Sequence, residues 1–136
     1  MLTSPAGIAF IEDNEGFSAT PYPDNGAPSW AYGHHQRPGE NVPSSVTREQ
    51  GDALLLQDVA PLEAYLMEAE PTLSQNQFDA LVDFGYNLGM GALRTMLGHG
   101  LDQVPVQILR WNHIDGVVSP GLTARRNAEV AMFTEA

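Results

Sequence analysis

The chain has 136 residues, 43% of them hydrophobic, which is enough for one domain with a packed core and no covalent staples. It contains no cysteine, which removes disulfides, thiol nucleophiles and thiolate metal sites, and no run approaches the roughly 18 apolar residues of a membrane span. With 17 acidic residues against 6 basic ones the net charge is −11, which argues against nucleic acid and anionic membrane surfaces, since both are bound largely through cationic side chains.

No basic stretch followed by an apolar one opens the sequence, so neither a signal peptide nor a membrane anchor is expected. Ser4 before Pro5 is an N-cap and first-turn pair, and Ile8, Phe10 and Ile11 suggest a short helix ending near Gly16. Residues 17–43 are rich in proline. Within them Pro23-Asp24-Asn25-Gly26 is a turn signal and Ser29-Trp30-Ala31-Tyr32 reads as a short strand, so a small β-region is expected.

From Thr47 the pattern becomes helical. Thr47 and Gln50 form a capping box, and Ala53, Leu54, Leu56, Val59, Leu62, Tyr65 and Leu66 follow at helical spacing. Pro61 within this run is expected to kink or split the helix. A second capping box, Ser74 with Gln77, opens a helix carrying Phe78, Leu81 and Val82, after which Gly85, Gly89 and Gly91 imply short, closely packed helices. Val104–Trp111 reads as helix, 116–121 as loop, and a last helix is expected from about Thr123 to Phe133, with Ala124, Ala128, Ala131 and Met132 available for packing.

The order predicts an α+β fold, predominantly helical, with a small N-terminal β-hairpin region. A single domain over 1–136 is expected, divided into a small β-containing lobe (about 15–45) and a helical lobe (about 46–136 plus the N-terminal helix), with Pro38–Ser45 as the hinge. A cleft between two such lobes suits an extended polymer.

Two carboxylates stand out there. Glu15 closes the first helix beside Gly16, and Asp24 lies in the turn nine positions on. Glycosidic cleavage needs one carboxyl to protonate the leaving oxygen and another to activate water or stabilise positive charge. Spacing alone does not single out this pair among 17 acidic residues.

Their surroundings do. Glu15-Gly16-Phe17, Pro21-Tyr22-Pro23-Asp24, Gly26 and Ser29-Trp30-Ala31-Tyr32-Gly33-His34 form a connected pattern. It resembles the phage lysozyme family, glycoside hydrolase family 24, whose usual form is Glu-Gly, a Tyr-x-Asp turn, then Gly-x-x-Thr-x-Gly-Tyr-Gly-His. Leu73-Ser74-Gln75-Asn76-Gln77-Phe78-Asp79-Ala80-Leu81-Val82 and Tyr86-Asn87-Leu88-Gly89 resemble the family's helical signature. Trp111, Gly121-Leu122, Arg125-Arg126, Glu129 and Phe133 resemble its closing segment, so the matches run in order from Gly7 to Phe133.

The resemblance implies a lysozyme-like fold with an active-site cleft. It also implies hydrolysis of the β-1,4 bond between N-acetylmuramic acid and N-acetylglucosamine in bacterial peptidoglycan, with inversion, in host cell lysis. Glu15 corresponds to the general acid, Asp24 to the second carboxylate and Ser29 to the hydroxyl that holds the attacking water. Arg125 corresponds to the arginine that pairs with the catalytic glutamate, while Arg126 is expected to support the fold instead. Two other readings are a lytic transglycosylase using Glu15 alone and a catalytically weakened glycan-binding module.

The sequence departs from the family pattern on the water side. The turn after Asp24 is one residue shorter than usual, Ser29 replaces threonine, Ala31 replaces a glycine, and Pro28 precedes Ser29. His34 and His35 point in different directions on any strand, and His99 and His113 lie in unrelated contexts, so no metal or other cofactor is expected. His34 is expected to support the site by pairing with a carboxylate of the long helix such as Asp52. Tyr32 is a candidate for sugar contact or for supporting the site, and Trp111 reads as core. A monomer is the default. The absence of an export signal implies storage in the host cytoplasm, and the family resemblance implies release to the wall by a holin-like partner.

Overall fold

The computed structural model describes residues 1–135; Ala136, the last residue of the expected domain, lies outside them. Helix α1 (Pro5–Glu15) starts as the Ser-Pro pair predicts, with the Ser4 hydroxyl accepting the Gly7 amide. That hydroxyl also donates to Asp79 on helix α3 (Gln75–Leu88), and the Ser4 amide donates to the other Asp79 oxygen at 3.0 Å. The cap therefore docks α1 onto α3. The approach is close enough to require glycine, because a Cβ on Gly7 would lie 2.6 Å from Asp79 Cγ.

Strands β1 (Ser18–Asp24), β2 (Ala27–Ala31) and β3 (His34–His35) form an antiparallel sheet in sequential order. Asn25 (φ 52°) and Gly26 (φ 87°) make the two-residue turn between β1 and β2, both left-handed as a type I′ turn requires. The turn sets the register: Asp24 pairs with Ala27, and Tyr22 with Ser29. Ala31 sits at φ 56°, a conformation natural to the glycine of the family pattern and costly for alanine.

The expected hinge residues Pro38–Ser45 form no helix or strand; just beyond them, the Val46 amide donates to Ala19 O at 2.8 Å. Helix α2 (Arg48–Ala69) has the full capping box of Thr47 and Gln50 and runs unbroken through Pro61, which does not split it. Pro61 is exposed, so the Gln57 carbonyl deprived of its helical donor can turn to water. The buried stripe of α2 is Gly51, Leu55, Val59, Leu62, Glu63 and Leu66; Leu56 and Ala53, expected to pack, face solvent instead.

Helix α3 carries the second capping box and is buried from Phe78 to Gly85, so it forms the centre of the helical part. Around it pack Ile11, Leu62, Leu93, Met96, Ile108 and Phe133, each contributing on the order of 1.5–3 kcal/mol of burial. Gly89 (φ 98°) ends α3 and starts α4 (Met90–Leu97). A 3₁₀ turn (Leu101–Gln103) leads into α5, which covers only Val104–Ile108 and not the full Val104–Trp111.

Part of the expected loop is a hairpin of β4 (His113–Ile114) and β5 (Val117–Val118), closed by Asp115 and Gly116 at positive φ. Helix α6 (Pro120–Thr134) begins three residues earlier than expected, capped by Ser119 with Pro120 in its first turn. Its buried face is Arg125, Arg126, Glu129 and Phe133, while Ala124, Ala128 and Ala131 are exposed. The helix is turned by charge pairing, because these charged groups find partners only in the interior. No helix among the described residues is long and apolar enough to cross a membrane.

Candidate active site

Glu15 is the last residue of α1, and the turn at Gly16 (φ 71°) leaves its side chain at the junction of helix and sheet. One carboxylate oxygen accepts from Arg125 Nη1 at 2.7 Å. The other faces Gly33, where a Cβ would lie 2.8 Å away; with φ at 80° that position calls for glycine on both counts. The Tyr86 hydroxyl lies on the same side and donates to the Tyr32 carbonyl at 2.6 Å. Burial first, then the negative charges of Asp58 and Glu15, push the Tyr86 phenol far up, so it stays a donor.

Arg125 is fixed from behind. Its Nε and Nη2 form a fork on Asp83 of α3 at 3.0 and 2.7 Å, and Asp83 is wholly buried. Burial works against the guanidinium charge, but Asp83 and then Glu15 outweigh it, and the group remains cationic. Arg126 takes a different course, bonding Asn87 Oδ1 at 2.7 Å and Glu129 Oε2 at 2.8 Å while stacking over the Phe84 ring, which fits the supporting role expected of it.

On the sheet, the shortened turn still brings Asp24 and Ser29 together. Ser29 Oγ donates to Asp24 Oδ2 at 2.7 Å, and His35 Nδ1 lies 3.0 Å from the same hydroxyl. Ser29 is fully buried, and the Asp24 and His35 side chains are each close to half exposed. Tyr22 is the cross-strand partner of Ser29; burial first, then the charge of Asp24 and that of Glu15, push its phenol up. Pro21, Tyr22, Pro23, Asp24, Ala27 and Pro28 line an adjacent hollow of about 450 Å³.

The remaining expected residues make their contacts elsewhere in the sheet and core. His34 is buried, with Nδ1 2.6 Å from Asp58 and Nε2 2.9 Å from Glu40, while Arg37 also reaches Asp58. Its partner on the long helix is thus Asp58, not Asp52. Asp52 lies beside Glu12, whose carboxyl is pushed up by burial and then by that neighbour. Tyr32 turns its buried ring onto Phe17 and Gly51 and offers the site its backbone carbonyl. Trp111 packs edge-on against Phe84, 5.8 Å between centroids, at the margin of the core. Asp83, His35 and Tyr86 were not anticipated. Of these, Asp83 left a trace in the sequence, as one of two acids, with Asp79, inside the apolar run of α3.

Among proteins of known family, a family model described as phage lysozyme matches residues 12–129. The endolysin of Bacillus phage PZA is 34% identical over 145 aligned positions covering 98% of this chain, which spans only 55% of that protein's length. The endolysin of Acyrthosiphon pisum secondary endosymbiont phage 1 is 31% identical over the whole of both chains. Among solved structures, an endolysin from Escherichia coli O157:H7 phage FAHEc1 superposes with a TM-score of 0.85 at 30% identity, covering 99% of this chain and 94% of that one. The muramidase domain of SpmX from Asticaccaulis excentricus gives 0.84 at 27% identity, covering 98% of each.

Proposed function

The chain belongs to the phage lysozyme family, and on that premise we propose that it is a peptidoglycan hydrolase acting in bacterial cell lysis, a single catalytic unit of two lobes. It cleaves the β-1,4 bond between N-acetylmuramic acid and N-acetylglucosamine. The observation that carries this reading is Glu15, held at the end of α1 by Arg125 and through it by the buried Asp83. A second carboxylate, Asp24, is held on the neighbouring sheet by Ser29.

Glu15 is the general acid. It gives its proton to the glycosidic oxygen as the bond from that oxygen to the sugar C1 breaks, the bonding pair going to the leaving oxygen. Arg125, held by Asp83, keeps the Glu15 carboxyl aimed, and Gly33 leaves its second oxygen unobstructed by a side chain. Asp24 is the base. Its Oδ2 is occupied by Ser29, so Oδ1 accepts a proton from the water whose oxygen bonds to C1 from the opposite face. The outcome is inversion, which requires carboxyls roughly 6.5–9.5 Å apart to admit the water. The Glu15-only transglycosylase reading gives the Asp24–Ser29 bond no task, and hydrolysis is preferred for that reason.

The substrate is the polymeric glycan of the wall. The protein acts there as a monomer, after storage in the host cytoplasm and release by a holin-like partner. The deciding experiment is digestion of purified peptidoglycan by the wild type and by Glu15→Gln, with product masses measured. Hydrolysis adds one water per cut, and Glu15→Gln is expected to release nothing. Anhydro-sugar products, or no clearing by the wild type over a range of pH and salt, would overturn the reading.

A further inference from the structure

We propose that His35 is a positioning residue for the water side of the site, an inference that rests on the roles just given to Asp24 and Ser29. His35 stands directly across from Ser29 in the β2–β3 register, one residue after the buried His34. The pleat sends adjacent side chains to opposite faces, so His34 goes down to Asp58 and His35 joins the face that carries Ser29 and Asp24.

The protons of this group can be assigned. A carboxylate only accepts, and Asp24 Oδ2 lies 2.7 Å from Ser29 Oγ, so the single hydroxyl hydrogen of Ser29 points at Asp24. Ser29 Oγ then faces His35 Nδ1 at 3.0 Å as an acceptor, which places a hydrogen on Nδ1. If Nδ1 accepted instead, the hydroxyl would turn away from Asp24 and leave two unshielded oxygens at 2.7 Å. The chain His35 Nδ1–H to Ser29 Oγ–H to Asp24 Oδ2 thus holds the hydroxyl rotor. Serine needs this more than threonine would, because it lacks the methyl that restricts the side-chain torsion. Holding the rotor fixes which Asp24 oxygen is left for water.

Three substitutions separate this from a general role in stability. Asparagine places its amide nitrogen where Nδ1 stands, and glutamine carries it out to the position of Nε2. His35→Leu is expected to lower kcat on solubilised peptidoglycan strands by about three- to tenfold, the worth of one ordinary hydrogen bond, with KM within about twofold. His35→Asn restores most of kcat and His35→Gln does not. Equal activity of the asparagine and glutamine variants, wild-type turnover in the leucine variant, or a loss confined to KM would overturn the proposal. A second readout needs no turnover: nitrogen-15 correlation spectra of neutral His35 should show the Nδ1–H tautomer in the wild type and the Nε2–H tautomer in Ser29→Ala combined with Asp24→Ala, which removes both oxygens near Nδ1. An Nε2–H tautomer in the wild type refutes the proposal even if hydrolysis is intact. Absence of hydrolysis alone sinks the enzymatic reading and leaves the spectra to decide this one.

Discussion

Asp83 and Arg125 meet through two parallel N–H···O bonds of 3.0 and 2.7 Å, and the same guanidinium extends its remaining nitrogen to Glu15 at 2.7 Å. The fork consumes the Nε edge of the arginine, so Nη1 can point only along one direction, toward the end of α1. Both partners are nearly or wholly buried, at 0% exposure for Asp83 and 8% for Arg125. Removing one member of such a pair leaves an unpaired charge in the interior. Asp83→Ala is therefore expected to cost about 3–5 kcal/mol of stability in denaturant unfolding. Asp83→Asn keeps one acceptor and is expected to cost less, while lowering turnover because the aim of Arg125 loosens. Stability and activity both unchanged in Asp83→Asn would count against this coupling.

The two carboxylates should respond unequally to neutralisation. Glu15→Gln removes the only proton donor assigned to the leaving oxygen, and turnover is expected to fall to background. Asp24→Asn keeps an oxygen beside Ser29 and retains room for water, so residual turnover is expected to be higher. Sugar release measured over long incubation tests the ranking. Equal losses would refute it. Both variants should melt close to the wild type, since Arg125 keeps Asp83 when Glu15 is neutral and Asp24 is close to half exposed.

Much of this architecture was written in local signals. Ser4-Pro5, the capping boxes at Thr47 and Ser74, and Asn25-Gly26 each name their own conformation through one or two hydrogen bonds or a positive φ. Ser119-Pro120 carried the same signal as Ser4-Pro5 and sets the true start of α6. What periodicity could not supply was rotation about a helix axis. In the run Leu54-Leu55-Leu56 any of three residues can lead the stripe, and only packing chose Leu55. On α6 the alanines looked like the packing face, yet Arg125, Arg126 and Glu129 are buried because their partners sit on α1 and α3 and on α6 itself. The pairing of His34 with Asp58 likewise depends on how the long helix turns against the sheet.

Glu129 is expected to give the fold a pH dependence. It is wholly buried, and burial first, then the neighbouring Asp83 carboxylate, push its acid up to about 10, against the pull of Arg126. Charge counting supports the direction: Glu15, Asp83 and Glu129 surround only Arg125 and Arg126, so one protonated carboxyl balances the cluster. In the unfolded chain the same group loses its proton near the ordinary glutamate value of about 4.3. Between those limits the folded state binds the extra proton, so stability falls as pH rises. The melting temperature of the wild type is expected to be higher near pH 5 than near pH 8. Glu129→Gln keeps a neutral side chain of similar shape and is expected to flatten that slope. An unchanged slope in this variant would show that Glu129 is ionised in the folded protein.

The net charge of −11 sets a condition on activity. Bacterial walls are polyanionic, so a protein of this charge is repelled while still distant, and approach becomes slower as ionic strength drops. The Debye length shortens from about 30 Å at 0.01 M to about 10 Å at 0.1 M, which removes most of the long-range repulsion before it weakens short polar contacts in the site. Clearing rates on purified walls are therefore expected to rise with salt to a maximum and then fall as hydrogen-bonded and ionic contacts with the glycan are screened. Shifting surface charge toward neutral, for example Glu49→Gln with Glu68→Gln, both exposed and at opposite ends of α2, should move that maximum to lower salt. A steady fall in rate from the lowest salt onward would mean that attraction, not repulsion, governs the encounter with the wall.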